Sequence, residues 1–173
     1  MTLINTCERS VEFWQNESDA NFLARGNFKL FIAHTVLSTD GQPITNLIWK
    51  CLKLNPRRTI AWEPIYGLNW CRGLPEKSGL WSSSDLDLSG TWQRCEVGHA
   101  YALSASGFWT ASTDSTSSCL QVNRNEYKAG ATEAVHVVLG LYDRKTSGFD
   151  PVCFSRRTVN LHVLMRTDIH RSY

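Results

Sequence analysis

The sequence predicts an all-β protein: a single antiparallel β-sandwich of about 8 to 10 strands, with at most one short helix near the N-terminus. From Phe28 onward, apolar residues recur at every second position in one segment after another, which is the period of a half-buried strand. Turn-forming residues separate these segments, and no self-similarity at about 40 residues indicates a propeller or a trefoil. The length of 173 residues predicts one domain over residues 1–173.

Residues 8–24 are the segment with helical spacing. Val11, Trp14, Ser18 and Phe22 recur at three- and four-residue steps with charged residues between them, which predicts a short amphipathic helix. The residues before this segment lack the basic start and the long apolar run of a secretory signal. We therefore expect a cytoplasmic protein, although a trimmed signal would leave secretion open.

The predicted strands run, in order, over residues 28–36, 44–54, 59–66, 86–92, 100–109, 134–142, 149–154 and 159–163. Asp40-Gly41 is the strongest hairpin signal in the chain. Pro64 predicts an edge or a bulge because it lacks a backbone N–H, and Gly67 predicts a bend. The segment 134–142 is almost continuously apolar, which is typical of a central strand. The polar tail 166–173 is expected to fray.

The six cysteines are widely scattered, and no Cys-x-x-Cys pair occurs. This spacing gives no support to a zinc ribbon or a thioredoxin-type site. Several of the cysteines lie in apolar strand patterns, so we expect buried, reduced thiols, while the alternative of three disulfides leaves the pairing open. They are Cys7, Cys51, Cys71, Cys95, Cys119 and Cys153.

The charge balance is close to neutral, with 18 basic and 16 acidic residues and a net charge of +2. A nucleic-acid partner is therefore not expected. The five histidines are isolated from one another and from the cysteines, so the sequence predicts no metal and no other cofactor.

The sequence contains seven tryptophans, which predicts a large aromatic core, an aromatic binding surface, or both. Aromatic residues are densest in residues 59–71. Strand alternation sends Trp62 inward, whereas Trp70 is the ring that we expect to meet a ligand. Planar rings that stand beside amide, guanidinium and carboxylate groups are typical of small-ligand pockets. The predicted ligand-binding residues are Tyr66, Asn69, Trp70, Arg72, Trp81 and Asp85.

Two groups of segments resemble known proteins. Residues 134–143, followed by 149–152, resemble the central strand and turn of mushroom fruiting-body lectins and related actinoporin-like proteins. Residues 84–88 and 96–103 are similar to a strand pair of actinoporins. The resemblance covers about a sixth of the chain and implies an intracellular β-sandwich that binds sugars or phosphocholine-like head groups in defence or immune modulation. Members of these families are typically poor in cysteine, and the six cysteines depart from that pattern.

The leading hypothesis is a non-enzymatic carbohydrate-binding protein that recognises glycans or glycoconjugates. Trp70 would stack on the sugar, and Asn69, Arg72 and Asp85 would form hydrogen bonds with its hydroxyl groups. Because one such site binds weakly, we expect a homo-oligomer that gains avidity from several sites.

Two alternatives belong to other classes of function. The first is a membrane-directed, pore-forming cytolysin that inserts segment 8–24 and meets lipid head groups through aromatic side chains, such as Trp109, Tyr127 and Tyr142. The second is a hydrolase that uses Glu63, Asp85 or His99 and needs a pair of carboxylates with a perturbed pKa.

Overall fold

The computed structural model describes residues 8–37, 42–74, 79–112, 120–128 and 135–155, and the backbone of 161–163. Of the described residues, 57% are in strands and 9% in helices, which confirms the all-β prediction. The described residues include one α-helix, α1 (Glu17–Arg25), and one turn of 3-10 helix at Ser83–Asp85. The predicted hairpin turn at Asp40-Gly41 and the polar tail 166–173 lie outside the described residues.

Of the sixteen strand segments that are described, the sequence predicts six of the longer ones and largely misses Arg9–Trp14, Tyr66–Arg72, Trp109–Ser112 and Leu120–Asn125. Ten segments in all have four or more residues. The remaining segments are brief pairings of two or three residues. The strands are β1 (Arg9–Trp14), β2 (Lys29–Ala33), β3 (Val36–Leu37), β4 (Pro43–Ile44), β5 (Leu47–Lys53), β6 (Arg57–Trp62), β7 (Tyr66–Arg72), β8 (Trp81–Ser82), β9 (Asp87–Leu88), β10 (Gln93–Cys95), β11 (Ala100–Leu103), β12 (Trp109–Ser112), β13 (Leu120–Asn125), β14 (Val135–Asp143), β15 (Gly148–Phe154) and β16 (Leu161–Val163).

The predicted helix over 8–24 is wrong in its first half. Arg9–Trp14 is a strand, β1, which pairs in antiparallel fashion with β6. The helix begins only after Asn16, whose side-chain Oδ1 accepts a hydrogen bond of 3.0 Å from the backbone N–H of Ser18. This N-cap satisfies one of the free N–H groups of the first turn and so sets the start of α1.

Strand β14 is central, as its apolar sequence predicts. It lies between β7 and β15 in a sheet of order β10-β7-β14-β15, and both of these neighbours are antiparallel to it. A second sheet has the order β12-β11-β13-β16. The antiparallel prediction does not hold everywhere, because β11 pairs with β13, and β5 with β8, in parallel.

The two large sheets share an apolar core, as expected for a β-sandwich. Leu68 and Leu139 of the first sheet pack in one cluster with Tyr101 and Val122 of the second. The other face of the first sheet is also covered, by residues that include Leu47, Leu86 and Trp92. The central part of β7 and β14 is therefore buried on both sides.

A pair of glycines lies in the middle of this sheet, where Gly67 of β7 is the register partner of Gly140 of β14. A Cβ atom added at Gly67 would lie 2.7 Å from the Phe149 ring, and one added at Gly140 would lie 2.6 Å from the Trp92 ring. Gly67 lies within β7 and makes room for an aromatic ring, whereas the sequence predicted a bend there.

The four described cysteines are free thiols, of which Cys71, Cys95 and Cys153 are buried and Cys51 is exposed. Burial raises the pKa of Cys71 to about 11. It raises the pKa of Cys95 and of Cys153 to about 12. The prediction of buried, reduced thiols is thus confirmed for these three, while Cys7 and Cys119 lie outside the described residues.

Candidate functional site

The structure places Trp70 and Asn69 in the core, so Trp70 does not present its ring to a ligand in solution. Trp70 is 4% exposed, and its Nε1 donates a hydrogen bond of 3.1 Å to the carbonyl oxygen of Gly107. Its ring packs on Tyr127, with 4.6 Å between the ring centroids. Asn69 is also buried, and its Oδ1 accepts a hydrogen bond from the backbone N–H of Trp70. This burial follows from the central position of β7, which has neighbours on both of its faces.

The other four predicted ligand-binding residues are dispersed. Tyr66 is half-buried against the core between the two large sheets, and Trp81 is half-buried against the opposite face of the first sheet. Arg72 is exposed at the end of β7. Asp85 is exposed in the 3-10 turn, where its Oδ2 accepts a hydrogen bond of 2.8 Å from the backbone N–H of Ser82. Asn69 and Trp70 are consecutive in β7 and so point to opposite faces of the sheet, and both are buried, so they do not form one open ligand-binding surface.

The candidate acids and base of the hydrolase hypothesis have separate neighbours. The Glu63 carboxylate is buried and forms an ion pair with the Arg144 guanidinium. The Asp85 carboxylate accepts a hydrogen bond within the 3-10 turn, so it is bound to the local backbone. His99 Nδ1 lies 3.9 Å from a Glu96 carboxylate oxygen, which is too long for a hydrogen bond.

The outer face of the β1–β6 ribbon brings an exposed tryptophan together with polar side chains. Successive strand residues alternate between faces, and the register places Glu12 opposite Thr59 and Trp14 opposite Arg57. All the residues of this face are exposed. We call it the Trp14 platform, and it consists of Ser10, Glu12, Trp14, Arg57, Thr59 and Ala61.

The Trp14 indole is 69% exposed, yet it is held in place. Its Nε1 donates a hydrogen bond of 3.0 Å to Glu12 Oε2, while Arg57 Nε donates one of 2.6 Å to Glu12 Oε1. The Arg57 guanidinium lies over the indole, with its Cζ 4.3 Å from the ring centroid. An edge and a face of the ring are thus fixed by protein groups, and much of the rest of its surface is open to solvent.

Glu12 is the centre of this arrangement. Its Oε1 also accepts a longer hydrogen bond, of 3.4 Å, from the Thr59 hydroxyl. The hydrogen bond from Arg57 is the main cause that lowers the pKa of the Glu12 carboxyl, so the carboxylate is ionised at neutral pH. Because Arg57 and Glu12 carry opposite charges, the platform has polar groups but little net charge.

Sequence reasoning missed the platform, although a signal for it was present. Over residues 9–14, Ser10, Glu12 and Trp14 alternate with Val11 and Phe13, which is the period of a strand. The helical spacing of Val11 and Trp14 competes with that period over so short a segment.

A second group joins aromatic and charged side chains at one end of the core. The rings of His34, Trp49 and Trp62 pack on one another, with centroids 4.5 to 6.0 Å apart. Burial lowers the pKa of His34 to about 4, so its imidazole is neutral at pH 7. Trp49 and Trp62 also pack against the core between the two large sheets, as the sequence predicts for Trp62.

Beside these rings, Lys50 Nζ lies 2.9 Å from Asp143 Oδ2 and 2.5 Å from Asp150 Oδ2. Burial lowers the pKa of Lys50, but the hydrogen bonds to the two aspartates outweigh it and leave the pKa raised. The hydrogen bond from Lys50 lowers the pKa of Asp143. This triad ties β5 to the β14–β15 hairpin, and both of its carboxylates have a partner, so we interpret it as a structural link.

Comparisons of the chain with protein-family models, with curated proteins and with solved structures find no match. Within the described residues, no three His, Cys, Asp or Glu side chains are placed to hold a metal ion. No helix in the described ranges has both the length and the apolar character needed to cross a bilayer.

Proposed function

We propose that the chain is a non-enzymatic carbohydrate-binding protein and that the Trp14 platform is its sugar-binding surface. The observation that carries the proposal is the exposed Trp14 indole, which Glu12 holds by its edge and Arg57 covers on a face. The C–H face of a pyranose packs on such a ring. Its hydroxyl groups can bond to the carboxylate, guanidinium and hydroxyl groups of Glu12, Arg57 and Thr59.

The fixed geometry of the indole supports this proposal. A side chain that is already ordered in the free protein loses less conformational entropy when a ligand binds. Two hydrogen bonds to Glu12 and the stacked guanidinium of Arg57 provide this order.

The charge of the platform favours uncharged glycans. Glu12 and Arg57 form an ion pair, which leaves neither charge free to recognise a strongly anionic or cationic sugar. The platform is also open rather than enclosed, so one site binds weakly. Useful affinity then comes from several sites on one glycan-bearing surface, as in a homo-oligomer. A role in defence or immune modulation, which the resemblance to fruiting-body lectins implies, stays a prediction.

A glycan array with labelled protein tests this function. We expect the wild-type protein to bind a set of neutral glycans, and Trp14→Ala to weaken that binding at least tenfold, which corresponds to about 1.4 kcal/mol. Phe22→Ala is a matched control, since it removes an exposed aromatic ring from outside the platform. The array should not distinguish it from the wild type.

Circular dichroism spectra and thermal unfolding of the three proteins establish that each one is folded. An array without bound glycans argues against the proposal for the sugars tested. If Trp14→Ala binds glycans as strongly as the wild type, the Trp14 platform is not the sugar-binding surface.

A further inference from the structure

Three exposed phenylalanines lie within ten residues of the chain. Phe22, Phe28 and Phe31 are 74%, 59% and 56% exposed, respectively. Large apolar side chains that are exposed singly are ordinary, but a contiguous group of them marks an interaction surface.

The turn from α1 into β2 places Phe22 and Phe28 near the same end of the helix. The Phe28 ring lies against Gly26, because a Cβ atom added at Gly26 would be 2.7 Å from Phe28 Cε2. Gly26 follows Phe22 by four positions, so the two lie on the same side of the helix end. The backbone N–H of Phe28 donates a hydrogen bond to the carbonyl oxygen of Leu23, which fixes the turn from α1 into β2. Phe31 follows on the exposed face of β2.

Basic residues lie close to the three phenylalanines in the chain and across the sheet. Lys29 shares the exposed face of β2 with Phe31, and its register partner on β5 is Lys53. Arg25 ends α1. We call the whole surface the aromatic–basic face, and it consists of Phe22, Arg25, Phe28, Lys29, Phe31 and Lys53.

The cations of this face take part in no described ion pair. Arg25, Lys29 and Lys53 form no salt bridge with any residue that the structure describes. Like charges that are directly opposite on paired strands are destabilising, and Lys29 and Lys53 are such a pair. The acidic residues of α1, Glu17 and Asp19, lie in its first turn, at the end away from Phe28.

We propose that the aromatic–basic face docks on the surface of an anionic lipid bilayer. Phenylalanine rings enter the boundary between head groups and acyl chains, and lysine and arginine side chains meet anionic head groups. The nine-residue helix is about 13 Å long, so it lies in the interface and does not span the bilayer.

This docking is independent of the Trp14 platform and differs from insertion of segment 8–24. A helix over that whole segment would require β1 to separate from β6, whereas the aromatic–basic face is exposed in the folded chain. A second copy of the chain suits this face less well. In a symmetric dimer through this face, the cations of Arg25, Lys29 and Lys53 would lie near the same cations of the other copy and repel them.

Liposome co-sedimentation tests the proposal with two compositions, pure phosphatidylcholine and phosphatidylcholine with about 30 mol% of the anionic lipid phosphatidylserine. The full-length protein should bind the anionic vesicles at least tenfold more strongly, and about 0.5 M salt should remove most of that preference. Reversal of two charges by Lys29→Glu with Lys53→Glu should weaken binding by about tenfold or more.

The apolar part is tested by Phe22→Ser combined with Phe31→Ser, which should also weaken binding to the anionic vesicles about tenfold or more. Phe108→Ser is the matched control, because Phe108 is 64% exposed and precedes β12, outside this face. It should bind as the wild type does. Equal binding to both vesicle types, or full binding by the lysine variant, would overturn the proposal. So would a dimer in solution that the two phenylalanine substitutions dissociate, because the face would then bind a second copy.

Discussion

Trp14 and Trp70 both lie in β-strands beside polar residues, but the two strands have different surroundings. Trp70 belongs to β7, which has β10 and β14 beside it and packed residues on both faces. Trp14 belongs to β1, whose described partner is β6 and whose outer face is open to solvent. The same residue type is thus a core element in one strand and an exposed platform in the other. The number of layers that cover a strand decides between the two.

The largest expected effect is on stability, from Trp70→Ala compared with Trp14→Ala. Removal of the buried Trp70 ring leaves a cavity and should lower the free energy of unfolding by about 3 to 5 kcal/mol. Removal of the exposed Trp14 ring should lower it by about 0.5 kcal/mol or less. Urea unfolding followed by circular dichroism measures both values, and equal losses would contradict the assignment of the two residues to core and surface.

The glycine pair of the central sheet gives an intermediate effect. Gly67→Ala places a methyl group against the Phe149 ring and should destabilise the protein by about 1 to 3 kcal/mol. Gly148→Ala is the matched control, because an added Cβ there has no neighbour nearer than 3.7 Å. The control should change the free energy of unfolding by less than about 0.5 kcal/mol. If Gly67→Ala is equally mild, the rings do not pack on the glycines as described.

The Lys50 triad gives the smallest effect and a pH dependence. Lys50→Met should destabilise the protein by about 1 kcal/mol at pH 7, because the ion pairs are partly exposed. The pKa of Asp143 is lowered in the folded state from its ordinary value of 3.8, so this carboxylate adds stability above that pH. The contribution is lost as the pH falls through the lowered pKa.

We therefore expect the free energy of unfolding to fall less between pH 7 and about pH 3 in Lys50→Met than in the wild type. Urea unfolding at the two pH values measures this difference. On the alkaline side, the raised pKa of Lys50 adds stability that persists to about pH 10.5 and is lost only above it. Identical acid profiles in the two proteins would mean that the triad does not link β5 to the hairpin.

The sequence is sufficient to predict the all-β class and the central strand, because the run from Val135 to Leu141 is apolar at every position except His136 and Gly140. Strand β1 was not predicted, since the three-residue step from Val11 to Trp14 fits a helix, whereas the strand period shows only in the alternation of Val11 and Phe13 with their neighbours. The Asn16 cap decides where the helix starts. Pairing of β1 with β6 favours the strand over the helix in residues 9–14. Because β6 is distant in the chain, the periodicity of residues 9–14 does not reveal this pairing.

The Trp14 platform has some of the chemistry that the sequence predicts around Trp70, but it lies elsewhere in the chain. An indole with amide, guanidinium and carboxylate neighbours was expected around Trp70, and a similar set occurs at Trp14 with Glu12 and Arg57. Trp14 and Arg57 are 43 residues apart, and only the register of β1 on β6 makes them neighbours. Likewise, the burial of Trp70 depends on which strands flank β7, and spacing along the chain does not report this.

The most direct test of the Trp14 platform is a ¹H–¹⁵N NMR titration of the indole N–H signals with a neutral glycan that the array identifies. Trp14→Phe assigns the Trp14 signal by its disappearance, and Trp70→Phe assigns the Trp70 signal in the same way. We expect the Trp14 signal to shift as glycan is added, while the Trp70 signal stays in place. A shift of the Trp70 signal with no change at Trp14 would contradict it.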